Sequence, residues 1–523
     1  MLSLGPAGAT PFGPKPRLPE TMRADQAYEE LLRRVREEAL LTSCEALLEW
    51  DEETYMPAGG VENRSEQLAL LAGLLHERGT DPRIGELLTE LEGSELLADR
   101  RSPEAVNIRE IRREFDRYVR LPRRLVEDVA RTTALAQKAW AKARAEANYS
   151  AFRPWLKKIV ELKRAEAECV GYAREPYDAL IEDYEPGMTS QIVGRLFAAL
   201  GKELVPLATE IAEARPRPRL HAGGTFPVER QRRFSAMVAA AVGFDVTRGR
   251  FDLGVHPCCT AIGPGDCRIV LRFGPRDFTG GVLTVLHEAG HALYEQGLDA
   301  RHYGTPMGEP PSVGMDEAQA RLWENRVGRS RGFWQHFYPQ ARELFASGLG
   351  RVGLDEFHLG LNQVKPSLVR VNADEVTYNL HLVVRFELER SLICGDLKAE
   401  DLPEAWNASY RQYLGVVPMN DREGCLQDGH WADGLIGYFP TYTLGDVFAA
   451  QLFSRAESEL GALEPQFAAG EFRELVRWLG QRVYLEGGRL PSAKLIESVT
   501  GSPPSHRPLV KALRAKYSEL YNF

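Results

Sequence analysis

Long apolar runs are missing from this sequence. Across 523 residues no stretch approaches the ~18–20 consecutive apolar positions that cross a bilayer, so no membrane partner is expected. A surplus of positive charge is missing too. Lys and Arg number 65 against 74 Asp and Glu, a net charge of −9, which leaves no electrostatic footprint for nucleic acid or an anionic membrane surface. Cysteines number seven, an odd count, and none forms a CxxC pair. That argues against a disulfide framework and for free thiols in a reducing cytoplasm. Cys258, Cys259 and Cys267 lie close in sequence and are read as buried thiols in preference to a metal site. Internal repeats and low-complexity segments are not evident. The first twenty residues hold Pro6, Pro11, Pro14, Pro16 and Pro19 but no basic start leading into an apolar core. They read as a flexible tail and not as a secretory signal, with one large domain expected over residues 21–523.

What the chain does have is helical periodicity and a 44% hydrophobic content, enough for a sizeable core. Helices are expected over 22–50, 64–76, 84–97, from Pro103 toward Tyr118, and over 123–148, 152–169 and 191–214. Breakers stand at Met56–Gly60 and Pro122, and residues 215–226 read as a Pro/Gly loop. Tyr177–Leu180 and Tyr184–Thr189 read as an irregular connection. Two short strands, 251–256 and 267–273, precede the most informative stretch, and helical patterns dominate from Glu317 onward. The fold class is therefore mainly α, with a small β element beside one central helix.

That helix carries Thr284-Val-Leu-His-Glu-Ala-Gly-His-Ala-Leu-Tyr294. His287 and His291 are four apart and project from one helical face, so two imidazoles can share one metal ion. Glu288 lies between them, placed to take a proton from a water. The flanks are apolar, so the helix is expected to be buried, where two histidines and a carboxylate need partners. Two hydrogen-bonded core histidines would meet the same pattern. A catalytic zinc site usually takes a third protein ligand. Glu317 is the choice, in the segment Met315–Asn325 after a Gly/Pro-rich loop. Asp316 and Glu324 are its rivals, and an acidic residue complementing a helix N-terminus is the structural alternative. The edge of a strand beside such a helix would suit an extended peptide.

Six segments together carry a resemblance. His-Glu-x-x-His stands at 287–291. Asp316-Glu317-Ala318-Gln319 is similar to a His-Glu-Ser-Gln element with its Glu kept. Val369-Arg370-Val371-Asn372-Ala373-Asp374 is similar to Ile-Arg-x-x-Ala-Asp. Gly424-Cys425-Leu426-Gln427-Asp428-Gly429-His430-Trp431 matches Gly-x-x-Gln-Asp-x-His-Trp in full. His256-Pro257-Cys258 departs from His-Pro-Phe at its third residue, and Asp266-Cys267-Arg268-Ile269-Val270 departs from Asp-x-Arg-x-Thr at its last. With the segments around Trp50-Asp51 and Tyr184–Gly187, the sequence resembles the thermostable (Taq-type) metallocarboxypeptidase family over residues 22–523. Cys258 and Val270 bear on substrate preference.

The resemblance implies a metal-dependent carboxypeptidase that releases C-terminal residues one at a time. It implies a long substrate cleft between two helical walls, and a homodimer. One divalent metal per chain is expected, Zn²⁺ with Co²⁺ as the other option, on His287, His291 and Glu317. Glu288 is then the general base of a metal-activated water attack. His430 and Tyr438 are candidates to donate to the oxyanion; packing near helix ends is their other reading. The free carboxylate of a peptide needs a cation, and a planar guanidinium grips it with two bonds. Arg370 comes first by resemblance and Arg268 second, with His256 also at the substrate; ion pairs with Asp374 or Asp266 are the structural readings of the two arginines. Asp374 and Asp428 are expected to orient an Arg or a His, and Glu295 is either an orienting group or a surface charge. An oligoendopeptidase of the same fold and a catalytically dead peptide-binding scaffold are the alternatives. Cleavage of C-terminally amidated peptides, and indifference to loss of Glu288, would mark them.

Overall fold

Side-chain caps start several helices where the sequence places them. In the computed structural model, which describes residues 20–214 and 224–523 (side chains from 23 onward), Asp81 accepts from Arg83 N at 2.9 Å and Ser102 Oγ from Ala105 N at 3.1 Å. Each leads a proline at the first helical position, where the missing N–H costs nothing. The expected tail up to residue 19, and 215–223 of the Pro/Gly loop, lie outside the described residues.

The first third is α1 (Glu20–Thr54), α2 (Val61–Gly79), α3 (Pro82–Leu91) and α4 (Pro103–Arg120). The third helix ends at Leu91, short of the expected Leu97, because Gly93 takes a positive φ and a 3₁₀ turn follows at Glu95–Leu97. Ala27, Leu31, Ile84, Leu87, Leu88, Leu91, Ile108 and Ile111 give α1, α3 and α4 a core of their own. Next come α5 (Arg123–Glu146), α6 (Tyr149–Val170), α7 (Pro176–Ile181), α8 (Ser190–Glu213) and α9 (Val228–Val242). The short α7 corrects the irregular reading of Tyr177–Leu180: Pro176 starts a single buried helical unit too short to show a period.

The sheet has three strands, β1 (Gly249–Leu253), β2 (Cys258–Gly263) and β3 (Asp266–Leu271), in the order β1-β3-β2. β1 runs parallel to β3, and β2 runs antiparallel to it. The middle element β2 is absent from the sequence reading, since Cys-Cys-Thr-Ala-Ile-Gly alternates too weakly to announce a strand. It is an edge strand, but α1 partly covers it: Ser43 Oγ donates to Ile262 O at 2.5 Å.

The central helix α10 (Phe278–Gly297) divides its faces. Val285, Ala289 and Ala292 pack on the sheet with Cys267, Ile269 and Leu271. Val282, Leu283, Leu286, Leu293 and Tyr294 join the main core. The helix α11 (Val313–Arg321) starts from the Ser312 cap and continues into a π-turn over Leu322–Val327. Then follow α12 (Arg331–Leu344), α13 (Ala346–Leu349), α14 (Leu354–Leu361), α15 (Tyr378–Cys394), α16 (Leu402–Leu414) and α17 (Phe439–Leu460), with further helices to Tyr521. Two glycines let α11 sit between its neighbours. A Cβ at Gly290 of α10 would lie 2.6 Å from Ala320 Cα, and one at Gly445 of α17 would lie 2.7 Å from Glu317 Cγ. Side chains there would displace α11, and Glu317 with it, from its place beside the histidines.

Between the small helical core and the main body lies a cavity of about 450 Å³. It is walled by α1, α4, the β2–β3 turn, the end of α10 and the loop around Pro310. All seven cysteines are free thiols. Among the described residues no helix is long and apolar enough to cross a membrane.

The N-terminus of α11 is anchored by the loop before α8. Tyr184 O accepts from Val313 N at 3.1 Å, and Glu185 lies buried against it. Burial pushes the Glu185 carboxyl up to about 7, offset only in part by the Ser312 and Ser492 hydroxyls and Gly314 N–H. A folded-state pKa above the unfolded one stabilises the fold below the unfolded value, and that stability is lost as pH rises through the folded value. Glu185 therefore costs roughly 3 kcal/mol between about pH 4.5 and pH 7. Glu185→Gln is expected to remove this slope. Urea unfolding of wild type and variant across pH 5–8 checks it: the stability difference should change by most of that amount, and a constant difference contradicts it.

Candidate metal centre

Three groups converge at the N-terminal half of α11. The Nε2 atoms of His287 and His291 each stand 3.9 Å from Glu317 Oε2, and one ligand atom from each residue lies within 4.8 Å of the others. The two rings meet nearly edge-on, at 81°, with centroids 5.1 Å apart. Two atoms each ~2.1 Å from one ion can be at most ~4.2 Å apart, and the separation of Glu317 Oε2 from each imidazole Nε2 falls within that reach. No other such cluster occurs among the described residues, and Cys258, Cys259 and Cys267 do not form one.

The other ring nitrogens are held from behind. His287 Nδ1 is 3.0 Å from Glu324 Oε2, and His291 Nδ1 is 2.9 Å from Asp316 Oδ2. A carboxylate at Nδ1 fixes the proton there and leaves the Nε2 lone pair to a metal. Glu324, seven residues on from Glu317 and so close to two helical turns, shares Arg321 with it. Asp316 and Glu324, the rival ligands, thus stand behind the histidines while Glu317 stands in front.

The electrostatics suit a cation. Burial works against a charge on His291, but Asp316, Glu288 and Glu317 outweigh it and hold the imidazolium up to about 10. The same negative field attracts a metal in place of that proton. Burial also opposes charge on Glu324, yet Arg321 and His287 bring its carboxyl down to about 2. Burial raises the Glu288 carboxyl, opposed by His287 and His291. Glu295, one turn past His291, lines the cavity; burial, Asp316 and Glu309 push it up to about 8.

If Asp316 and Glu324 orient the imidazoles without binding the ion, Asp316→Asn and Glu324→Gln should each weaken metal binding about 10–100-fold. Competition with a chromophoric chelator measures this. A loss far beyond that range for Asp316→Asn would make it a ligand.

Behind the triad stands Arg321, buried in α11. Its Nε donates to Glu317 Oε1 at 2.6 Å and its Nη1 to Glu324 Oε2 at 3.1 Å. Its Nη2 donates to the Tyr378 hydroxyl, which also accepts from Arg370 Nη1 at 3.2 Å. Arg370 is buried. Its Nε and Nη2 reach Asp428 Oδ1 at 3.2 and 3.0 Å, and its guanidinium faces the Tyr442 ring at 5.0 Å. Arg385 Nε grips the other Asp428 oxygen at 2.8 Å. Against burial, Arg385 and Arg370 keep Asp428 far below the usual carboxylate range.

His430 and Tyr438 border the same region. His430 Nε2 is 3.1 Å from the Tyr442 hydroxyl, and the ring stacks on Phe439. Burial, with Arg370 and Arg385 adding to it and Asp428 opposing, brings His430 down to about 4, so it is neutral at neutral pH. Tyr438 packs between Tyr184 and Tyr442. Burial, then Glu317 and Asp316, push its hydroxyl well above the ordinary value, so it carries its proton.

Two other candidates lie on the sheet that packs against α10 and on one of its loops. Arg268 Nε and Nη2 are taken by Asp266 at 2.8 and 2.7 Å, and its face lies 4.1 Å from the centre of the Trp50 ring. Its fork is engaged by its neighbour, the ion pair foreseen as its structural reading. His256 is exposed on the β1–β2 loop. Asp374 does not touch Arg370: its oxygens accept from Lys365 N, Val376 N and Thr377 N, so it builds the turn that precedes α15. Arg321, Tyr378, Arg385 and Tyr442 go unnoticed in the sequence. The four-residue spacing of Glu317 and Arg321 is a readable helical pair; nothing local marks Tyr378.

Known proteins resemble this chain over nearly its whole length. A family model described as carboxypeptidase Taq (M32) metallopeptidase matches residues 30–517. Thermostable carboxypeptidase 1 of Thermus thermophilus is 48% identical, covering 96% of this chain and all of that protein. Carboxypeptidase 1 of Bacillus subtilis is 33% identical over 95% of this chain and 98% of that one. The crystal structure of the M32 carboxypeptidase from Deinococcus radiodurans superposes with a TM-score of 0.91 at 40% identity, covering 95% of this chain and 100% of that one.

Proposed function

This chain belongs to the carboxypeptidase Taq (M32) metallopeptidase family, and we propose how its own residues carry out metal-dependent release of C-terminal amino acids from peptides. The observation that carries the reading is the meeting of His287, His291 and Glu317 beside Glu288, joined through Arg321 and Tyr378 to the buried Arg370.

A divalent ion held by His287, His291 and Glu317 supplies Lewis acidity, which polarises a scissile carbonyl and acidifies water. Zinc is the proposed ion, with cobalt acceptable to the same nitrogen and oxygen donors. Glu288 takes the water proton and returns it to the leaving amine. Arg370 holds the free carboxylate, with Asp428 fixing the plane of its guanidinium. Tyr438, protonated, is the proposed donor to the oxyanion. His430 is neutral and donates from one ring nitrogen while Tyr442 engages the other. Arg268 and His256 are given secondary roles, since the hydrogen-bonded line from Glu317 through Arg321 and Tyr378 leads to Arg370 and not to the sheet.

A homodimer is proposed, supported by exposed apolar side chains on neighbouring helices, Leu40 and Leu47 of α1 with Leu70 and Leu74 of α2. Light scattering on the purified chain, and on Leu70→Glu, tests it. A cytoplasmic setting is proposed from the seven free thiols.

The decisive experiment incubates the protein with an unstructured peptide and its C-terminally amidated twin, with and without chelator, and follows the products by mass spectrometry. Stepwise loss from the free carboxyl end, abolished by chelator, supports the reading. Internal cuts shared by both peptides would favour an oligoendopeptidase. Intact peptides at full metal occupancy would leave a binding scaffold.

A further inference from the structure

The side chains of Arg321 and Tyr378 lie where the two halves of the site meet. The Arg321 fork feeds three acceptors at once: the ligand Glu317, the group Glu324 that orients His287, and the Tyr378 hydroxyl. The Tyr378 oxygen has two lone pairs, and two guanidinium donors use them, one from Arg321 and one from Arg370. The remaining side-chain hydrogen bonds of Arg370 go to Asp428, which bonds onward to Arg385 and not to the triad. The hydrogen-bonded line from ligand to arginine therefore runs Glu317–Arg321–Tyr378–Arg370.

We infer that Arg321 and Tyr378 are positioning residues that couple metal binding at the triad to recognition of the free carboxylate at Arg370. The inference rests on the roles proposed above for those two ends. A carboxylate seated on Arg370 draws the guanidinium away from the Tyr378 oxygen. That oxygen then accepts more strongly from Arg321. Arg321 in turn withdraws less charge from Glu317, which becomes a better ligand. Carboxylate binding tightens the metal, and by linkage the metal tightens the carboxylate by the same factor. A peptide end without a carboxylate does not trigger this.

The test titrates Co²⁺ into metal-free protein by its visible absorption, with and without saturating 3-phenylpropanoate, and with 3-phenylpropanamide as the uncharged control. The ratio of the two Co²⁺ dissociation constants is the coupling factor, expected at about 5–10-fold in the wild type with the carboxylate and near one with the amide. Tyr378→Phe keeps the ring under Arg321 (4.2 Å from the guanidinium carbon to the ring centre) and removes only the hydroxyl. Its coupling factor should fall at least threefold, while each ligand alone still binds. Arg321→Lys, which keeps a charge but not the three-way fork, should fall as far. Part of the attraction between metal and carboxylate is direct and survives both changes. A role confined to packing would shift the thermal midpoint of Tyr378→Phe and leave the factor alone. A fall of less than threefold in Tyr378→Phe overturns the inference. Arg370→Met separates the two levels: if it keeps the wild-type factor, Arg370 does not hold the carboxylate, and the proposed substrate role fails together with the coupling. If it loses the factor while Tyr378→Phe keeps it, only the coupling fails.

Discussion

Glu288→Gln is expected to lower kcat/KM by about a thousandfold, within the 10²–10⁴ range for loss of a general base, while metal content stays at the wild-type level. The substitution is nearly isosteric and sits on a helix held on two sides. The sheet packs on Val285, Ala289 and Ala292, and the main core packs on Val282, Leu286 and Leu293. His287 and His291 keep their own carboxylates, Glu324 and Asp316, so their Nε2 atoms remain aimed. Burial holds the Glu288 carboxyl above its ordinary value, and an amide in that place gives up no ion pair. The loss should thus fall on kcat, with KM and metal affinity changed severalfold at most. Kinetics on a free-carboxylate peptide, with metal measured on the same sample, decide it. A loss under tenfold would remove Glu288 from the proton transfers, and a loss that tracks missing metal would make it a structural support of the site.

How much of this was legible beforehand depended on the distance between partners along the chain. His287, Glu288 and His291 share one helix, and a spacing of four places the histidines on one face whatever the tertiary fold. Glu317 was harder, since Asp316 and Glu324 lie on the same short segment and all three are acids. They have three different positions: Glu317 in front of the histidines, the other two behind them. Which acid goes where depends on the approach of α11 to α10 at Gly290 and to α17 at Gly445, and spacing alone does not contain that. The Tyr378 link joins residues 57 positions apart, with no local pattern to announce it. The strand β2 went unread because its six residues carry no clear alternation. Arg268 suits a carboxylate by residue type, and its pairing with Asp266 two positions earlier on the same strand face is the structural reading that the spacing of the two already offers.

Replacing Arg370 with Met should separate carboxypeptidase action from peptide hydrolysis as such. A bidentate, charge-assisted contact to a carboxylate is worth about 3–4 kcal/mol at a desolvated site, which is about 10²–10³ in kcat/KM. The loss should appear mainly in KM if the contact is the same in ground and transition states. Amidated peptides, which cannot use the contact, should be cleaved as slowly by the variant as by the wild type, so the preference for a free end should vanish. The fold should survive. Asp428 would lose its bonds from Arg370 but keep those from Arg385, which lies fully buried under it, and Met fills much of the space of the arginine stem beside Tyr442. Gln427 also continues to accept from the backbone N of residue 370. Should the variant lose metal or melt early, Arg370→Lys is the second arm: it keeps a charge near Asp428 without the planar fork, and should recover stability while recovering little of the preference. Equal losses on free and amidated peptides in both variants would mean that Arg370 serves Asp428 and the fold alone. The cation for the peptide end would then have to be found among groups that this structure leaves unpaired in the cleft.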